Sequence, residues 1–277
     1  MKRMHRQTIR ISSYVEYRRA LNNHILPALG HIRLQKLSIQ QVEAFYAHLA
    51  REGLAAKTIS GIHGVLRKAL AHAVYLNLIS RNVCDIVKQS LPRKARSEVC
   101  ILTKEQAQAL LQHLRGRYQL EALFTLALLT GMRRGEIAAL RWGDISFEEK
   151  YLLNNRSARR TGAGFGLIVS DPKSVSSRRK ISLSTFLLEV LQHHRREQEN
   201  QRKTGGKAWQ DNDLVFCNRR GKYINPDTLR VWFKEALKDA GLPPMRFHDL
   251  RHSAATLLLV MGWMSRWCRS CWGTATS

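Results

Sequence analysis

The chain has 277 residues, a length that suggests two domains, and its 46 Lys and Arg against 21 Asp and Glu give a formal net charge of +25. This charge predicts a polyanionic partner, most simply nucleic acid. No stretch approaches the roughly 20 apolar residues of a membrane-spanning helix, and five scattered cysteines, an odd number, argue against a disulfide scaffold and for the cytoplasm.

The first predicted domain covers residues 1–92 and reads as helical. Ser38 and Gln41 have the spacing of a capping box, the apolar residues after them recur every three or four positions, and Gly53 ends that helix. A second helix is predicted over residues 57–78, including Leu78 in its apolar stripe. Its other face carries three basic residues that are either solvated or contact phosphates: Lys57, Arg67 and Lys68.

A polar, basic linker is predicted over residues 93–98, and a second domain over residues 99–262. Thr103 and Gln106 form another capping box, and Asn225 before Pro226 marks a further helix start. The predicted helices cover residues 120–129, 185–199, 226–240 and 247–261, with a loop over 200–212. The predicted strands lie within residues 145–153, 166–170 and 180–184, the last two forming a hairpin around a basic turn.

Three basic groups in this second domain could carry chemistry. Arg133 lies at a helix junction with Glu136 three residues later, Lys173 lies in the predicted hairpin turn, and His248 and Arg251 share one face of a predicted helix. Taken singly, each is better explained as a salt bridge, a solvated lysine or a polar cluster. Together, two guanidinium forks, an ammonium and an imidazole could converge on a phosphodiester and stabilise the charge of a phosphorane.

Two boxes and a lysine turn carry a resemblance. Thr130-Gly131-Met132-Arg133-Arg134-Gly135-Glu136, Pro172-Lys173-Ser174 and His248-Asp249-Leu250-Arg251-His252 resemble motifs of the tyrosine recombinase family, of the phage-integrase type. The resemblance implies a mostly α fold with a small antiparallel β-sheet: a helical, SAM-like core-binding domain (1–92) and an α+β catalytic domain (99–262). The roles it implies are catalytic for Arg133, Lys173, His248 and Arg251, supporting for Glu136 and His252, and DNA-binding for Arg178 and Arg179.

The same resemblance implies a partner and a reaction. Intact relatives would grip duplex DNA, cleave a strand by tyrosine attack through a 3′-phosphotyrosyl intermediate and exchange strands as a homotetramer, without a metal or nucleotide cofactor. We expect this chain to bind double-stranded DNA and no membrane, and to be a monomer in isolation. Its expected location is the cytoplasm, in association with the nucleoid.

The last residues depart from the family pattern. No tyrosine follows Tyr223, and residues 263–277 combine three Trp and two Cys with no helical pattern. Read in the neighbouring frame, Trp263-Met264 must encode Asp and Trp267-Cys268 must encode Val, and permissible codons elsewhere give a Leu-Gly-His box typical of the family. We therefore hypothesise a frameshift near Gly262 that removed this box and the nucleophile, so that the catalytic domain is incomplete; the encoding DNA sequence tests this.

Two alternatives stay open on the sequence, and a third is rejected. The chain could be a non-catalytic DNA-binding module that competes with intact copies, or a type IB topoisomerase-like enzyme, which shares the Arg, Lys and His constellation. His248, His252, Cys268 and Cys271 superficially offer four zinc ligands, but their order and spacing match no familiar zinc module, so no metal is predicted.

Overall fold

A computed structural model describes residues 11–87, 100–160, 166–170 and 179–260. The chain divides into two compact units, one ending at Ser97 and the other beginning at Glu98. The predicted linker (93–98) and residues 263–277, which follow the hypothesised frameshift, lie outside the described residues. Within the described part, no helix combines the length and the apolar character that crossing a membrane would require.

The first unit is built from helices. Helix α1 (Ile11–Ala20) continues through a π-helical turn (Leu21–Ile25) into α2 (Leu26–Leu29), followed by α3 (Ile39–Arg51), α4 (Ala56–Tyr75) and α5 (Val83–Val87). The predicted Ser38 capping box is confirmed, because Ser38 Oγ accepts from the Gln41 N–H and the Gln41 side chain accepts from the Ser38 N–H. The core lies between α3 and α4 and includes Val42, Phe45, Leu49, Ile59, Ile62, Leu66 and Leu70.

The second unit centres on an almost wholly buried helix. Its helices are α6 (Lys104–Leu114), α7 (Leu120–Thr130), α8 (Arg134–Ile137), α9 (Thr185–Gly205), α10 (Pro226–Asp239) and α11 (Asp249–Val260). Helices α6, α9 and α11 pack against α7, whose apolar residues face neighbours on every side. Phe124 of α7 lies 5.5 Å from Phe233 and 6.2 Å from Phe247, between ring centroids, which ties α10 and the start of α11 to this centre.

Among the described residues, five short strands form two antiparallel sheets, and their pairing corrects the predicted hairpin. Strands β1 (Ile145–Ser146), β2 (Tyr151–Asn154) and β5 (Arg179–Ser182) make one sheet in the order β1-β2-β5. Strands β3 (Ser157–Arg160) and β4 (Leu167–Ser170) make the other. Residues 167–170 therefore pair with β3 and residues 179–182 with β2, so the prediction that residues 166–170 and 180–184 pair with each other is wrong.

Helix bounds differ from prediction in three places. Helix α4 ends at Tyr75, so Leu78 lies beyond it and is exposed. Helix α9 extends to Gly205, followed by a short 3-10 turn over Gly206–Ala208, where a loop over 200–212 was predicted. Helix α11 begins at Asp249, which leaves His248 in the preceding turn. The predicted fold class, mostly helical with a small antiparallel sheet, is confirmed.

Candidate phosphate-binding site

Arg133 is held at the junction between α7 and α8. Helix α7 ends at Gly131, whose positive φ of 58° is a backbone conformation that glycine adopts without strain. Arg133 then caps α8: its N–H donates to Glu136 Oε2 at 2.9 Å and its guanidinium donates to Glu136 Oε1 at 2.9 Å. The Arg133 side chain is 50% exposed, so its guanidinium is fixed by Glu136 and still open to solvent.

Glu136 is a buried carboxylate shared by two arginines. Its side chain is 5% exposed and accepts from Arg179 through a 3.0 Å ion pair, with Arg179 itself only 6% exposed. Burial alone would raise the Glu136 pKa, but the Arg179 charge and the hydrogen bonds from Arg133 and Arg179 together hold it below its ordinary value. Glu136 is therefore ionised at neutral pH, and it links the Arg133 turn to β5.

Close packing also fixes this turn against the second sheet. A Cβ atom at Gly135 would lie 2.5 Å from the Ala158 carbonyl oxygen and 2.7 Å from Ser157 Oγ of β3. Because a backbone oxygen at this distance cannot swing aside, a residue without a side chain is needed where α8 meets β3. This contact gives the glycine of the first box a structural reason.

Arg251 brings the second box to the first. It lies in the first turn of α11 and donates from Nη1 to the Gly131 carbonyl at 2.7 Å, two residues before Arg133. Arg251 is 8% exposed, so its position is set by packing between α11 and α7. Ser253 anchors the same helix, since its hydroxyl accepts from the Leu102 N–H at 3.0 Å and donates to the Asp249 carbonyl at 3.1 Å. Arg251 thus contacts the turn that leads to Arg133, although 118 positions separate the two arginines.

Two histidines lie beside these arginines. The rings of His248 and His252 are 5.5 Å apart and nearly perpendicular. Partial burial and then the neighbouring His252, Arg251 and Arg133 charges lower the pKa of His248 below its ordinary value. The His248 imidazole is therefore neutral at physiological pH and can accept or donate a proton.

The predicted site residues separate into three groups. Arg133, Glu136, His248, Arg251 and His252 come together around one turn. Lys173 and Arg178 lie outside the described residues, as do Cys268 and Cys271 of the zinc alternative. Arg179 is among the described residues, and its guanidinium is buried against Glu136. The sequence analysis had predicted that this guanidinium contacts DNA.

The three basic residues predicted to face DNA in the first unit have different surroundings. Arg67 forms an ion pair with Asp85. Lys68 Nζ lies 3.4 Å from the Tyr17 hydroxyl and 5.2 Å from the centre of its ring. Lys57 is exposed on α4.

Sequence reasoning missed a second arginine and carboxylate pair beside the site. Asp249 is buried and accepts from the Arg246 N–H at 3.1 Å and from its guanidinium at 2.8 Å. The spacing of three residues repeats that of Arg133 and Glu136: the first pair caps α8, and the second closes the turn that leads into α11. This repeated spacing was the signal that could have revealed Asp249 as the carboxylate that holds the turn before the second box.

Two protein-family models match parts of this chain. The model of the phage integrase family matches residues 101–270, and the model of the phage integrase N-terminal SAM-like domain matches residues 2–50. The chain belongs to the phage integrase family. The resemblance inferred from the two boxes is thereby confirmed.

Individual relatives agree with this assignment. The tyrosine recombinase XerC-like protein of Caldanaerobacter subterraneus is 28% identical, and the match covers 91% of this chain and 68% of that protein. An integrase of Streptomyces ambofaciens is 31% identical, with 85% of this chain and 61% of that protein covered. The chain thus spans about two thirds of the length of these curated relatives.

Solved structures of integrases share the fold. The Tn1549 transposon integrase, solved in complex with transposon right end DNA, has a TM-score of 0.81 at 19% identity, covering 98% of this chain and 88% of that one. A lambda integrase tetramer bound to a Holliday junction has a TM-score of 0.66 at 21% identity, covering 99% and 75%. At these identities the likeness establishes the fold alone.

Proposed function

We propose that the chain binds duplex DNA as a site-specific recombinase of the tyrosine type does, and that the Arg133 turn receives a backbone phosphate. The observation that carries the proposal is the junction of the two boxes: Arg251 donates to Gly131, two residues from Arg133. The net charge of +25 favours a polyanion, and the structural relatives were solved on DNA. We also propose that the chain is a monomer when it is not bound to DNA, and that it acts in the cytoplasm in association with the nucleoid.

Each side chain of the site then has a role toward that phosphate. The exposed guanidinium of Arg133 and the Arg251 guanidinium, which is anchored on Gly131, would bind non-bridging oxygens and stabilise the added charge of a pentavalent phosphorane. Neutral His248, with His252 beside it, would hydrogen-bond or exchange a proton with the reacting oxygens. Lys173 is proposed as the group that protonates the leaving oxygen, which requires residues 171–178 to reach the site.

In the first unit, the α4 surface is proposed to track the DNA backbone. Lys57 is the strongest of the three predicted contacts, because Arg67 is already neutralised by Asp85 and Lys68 is already placed over Tyr17. We propose that residues 1–92 form the core-binding domain and that residues 99–262 form the domain that carries the phosphate site.

An Arg133→Ala substitution tests the phosphate role. Removing one phosphate contact should reduce the slope of log affinity against log salt by about 0.9 on a mixed-sequence duplex, because fewer counterions are released. Arg134→Ala is the matched control: this neighbouring arginine pairs with Asp227 at 3.1 Å, so we expect the slope to stay unchanged. Equal slopes for the wild-type protein and the Arg133→Ala variant, measured by fluorescence anisotropy, would remove Arg133 from the interface.

We also propose that the 277-residue polypeptide binds without cleaving. Tyr223 is its last tyrosine, and the Tyr223 hydroxyl already accepts from Arg141 Nη2 at 3.1 Å. Burial raises the pKa of Tyr118, which makes that hydroxyl a poor nucleophile. Without a phosphotyrosyl intermediate the covalent route is lost, whatever charge the arginines still stabilise. The chain would then compete with intact copies for their sites.

Covalent trapping measures this directly. The substrate is a pool of duplexes nicked at random positions. Cleavage close to a nick releases a short strand, and the loss of that strand prevents religation. We expect no denaturant-stable protein–DNA adduct from this polypeptide, while the Streptomyces ambofaciens integrase, assayed on a nicked form of its own site, serves as the positive control. An adduct that disappears in a Tyr223→Phe variant would show that another tyrosine has replaced the nucleophile.

A further inference from the structure

One carboxylate stands between two arginines of opposite exposure. Glu136 Oε1 accepts from the exposed Arg133 guanidinium, while Glu136 Oε2 accepts from the Arg133 N–H and from buried Arg179 Nη2. Arg179 opens β5, and Asn154 of β2 is its register partner. The phosphate role proposed above uses Arg133 and leaves the buried Arg179 without a task.

The charges of this triad decide how much of Arg133 is available to a ligand. A guanidinium does not deprotonate in a protein, so the triad holds two positive charges and one negative charge. With Arg179 present, one positive charge is left over, and it lies on Arg133 because Arg133 is the exposed member. Without Arg179, Glu136 and Arg133 would neutralise each other, and a phosphate arriving at the turn would meet a pair of zero net charge.

Resting on the proposed function, we propose that Arg179 is a positioning residue: its buried guanidinium neutralises Glu136, so that Glu136 can orient Arg133 without cancelling its charge. Arg179 does this from inside the fold, with a side chain that is 6% exposed and does not itself reach DNA. The first box contributes Arg133 and Glu136. Arg179, at the start of β5, contributes the positive charge that balances Glu136, so the pairing of Arg133 with Glu136 remains compatible with phosphate binding.

The first test compares Arg179→Met with the wild-type protein on a mixed-sequence duplex. We expect about tenfold weaker binding, roughly the value of one charge-assisted hydrogen bond, and a salt slope smaller by about 0.9. All variants are measured in sucrose, which favours the folded state, and circular dichroism verifies folding. A folded Arg179→Met protein with the wild-type affinity and slope would overturn the proposal.

The double variant Glu136→Gln with Arg179→Met separates charge balance from direct contact. It has no buried unpaired charge and again leaves Arg133 with one free positive charge, so we expect affinity and slope to return to wild-type values. If Arg179 contacted phosphate itself, or served only to hold β5 in place, the double variant would bind as weakly as Arg179→Met. That result would also overturn the proposal.

A pH series adds a signature that a purely structural role lacks. In Arg179→Met, burial of Glu136 is no longer opposed by Arg179, so its protonation on acidification should restore the free charge of Arg133 and recover affinity. Other charged or ionisable side chains near the turn include Arg134, Asp227, His248, Asp249, Arg251 and His252. Because these are present in both variants, the affinity ratio between Arg179→Met and the double variant isolates Glu136. A ratio that does not change with pH contradicts the charge-balancing role.

Failure of this inference is distinguishable from failure of the proposed function. If Arg133→Ala changes neither affinity nor slope, then Arg133 does not bind phosphate and the proposed function fails. If Arg133→Ala weakens binding while folded Arg179→Met does not, the phosphate role stands and only the role of Arg179 is rejected.

Discussion

Replacing Glu136 with alanine is expected to lower the free energy of unfolding of the second unit by about 3–5 kcal/mol, the usual cost of removing one partner from a buried ion pair. Glu136 and Arg179 are 5% and 6% exposed, so the substitution leaves a guanidinium buried without its anion. It also removes the acceptor of the Arg133 N–H and so loosens the first turn of α8. Urea unfolding followed by far-UV circular dichroism measures the change.

The adjacent strand residue supplies the matched control. Lys180 pairs with Glu149 at 3.5 Å, and both side chains are mostly exposed, so Glu149→Ala should cost less than about 1 kcal/mol. Replacing Glu136 and Arg179 together by methionine should recover most of the loss, because no buried charge remains. Equal costs for Glu136→Ala and Glu149→Ala would mean that Arg179 reaches water in solution.

The pH dependence of stability has a definite sign for this carboxylate. The folded-state pKa of Glu136 is lowered relative to the unfolded chain, so the folded protein binds its proton less readily. The stability that its ionisation contributes is present above the ordinary glutamate pKa and is lost as the pH falls through the lowered value. In Glu136→Ala this part of the acid destabilisation should be absent, so it should appear as the difference between the wild-type and variant curves of stability against pH.

Local signals predicted the helices, and non-local pairing limited the strands. The capping boxes at Ser38 and Thr103 and the Asn225–Pro226 start depend on residues within three positions, and the structure has each of them. Strand β3 was missed because Ser157–Arg160 lacks the apolar alternation of a strand. It takes β4 as its partner, so residues 167–170 cannot form the predicted hairpin with residues 179–182.

The site itself was predictable only as a set of residue types. Arg133 and Glu136 are neighbours in sequence, and their pairing was expected from spacing. The contact between Arg251 and Gly131 depends on the packing of α11 against α7, which no local pattern encodes. The sequence analysis expected the two arginines to converge, from their residue types and from the resemblance to tyrosine recombinases, but did not predict this contact. Arg179 is the opposite case, a residue predicted at the surface that is buried. It lies within a basic run, which is typical of a surface segment, and only the fold reveals that its guanidinium points inward.

The largest packing effect is expected at Phe124, because the core beneath the site converges there. Phe124 is fully buried and contacts the rings of Phe233 and Phe247. Phe124→Ala should destabilise the second unit by about 3–5 kcal/mol through lost burial and the cavity left behind. Phe186→Ala is the control: Phe186 lies exposed on α9, and its removal should change stability by no more than about 0.5 kcal/mol.

The same substitution should weaken DNA binding without touching any charged residue. Phe247 immediately precedes His248, and the turn at residues 246–249 leads into Arg251, so a cavity beneath Phe247 frees the second box to move relative to Gly131. Hydrogen exchange should then accelerate in α7 and α11 more than in α3 and α4, whose core contains no part of this cluster. Wild-type affinity in a folded Phe124→Ala protein would show that the Arg251 contact with Gly131 suffices to hold the site without aromatic support.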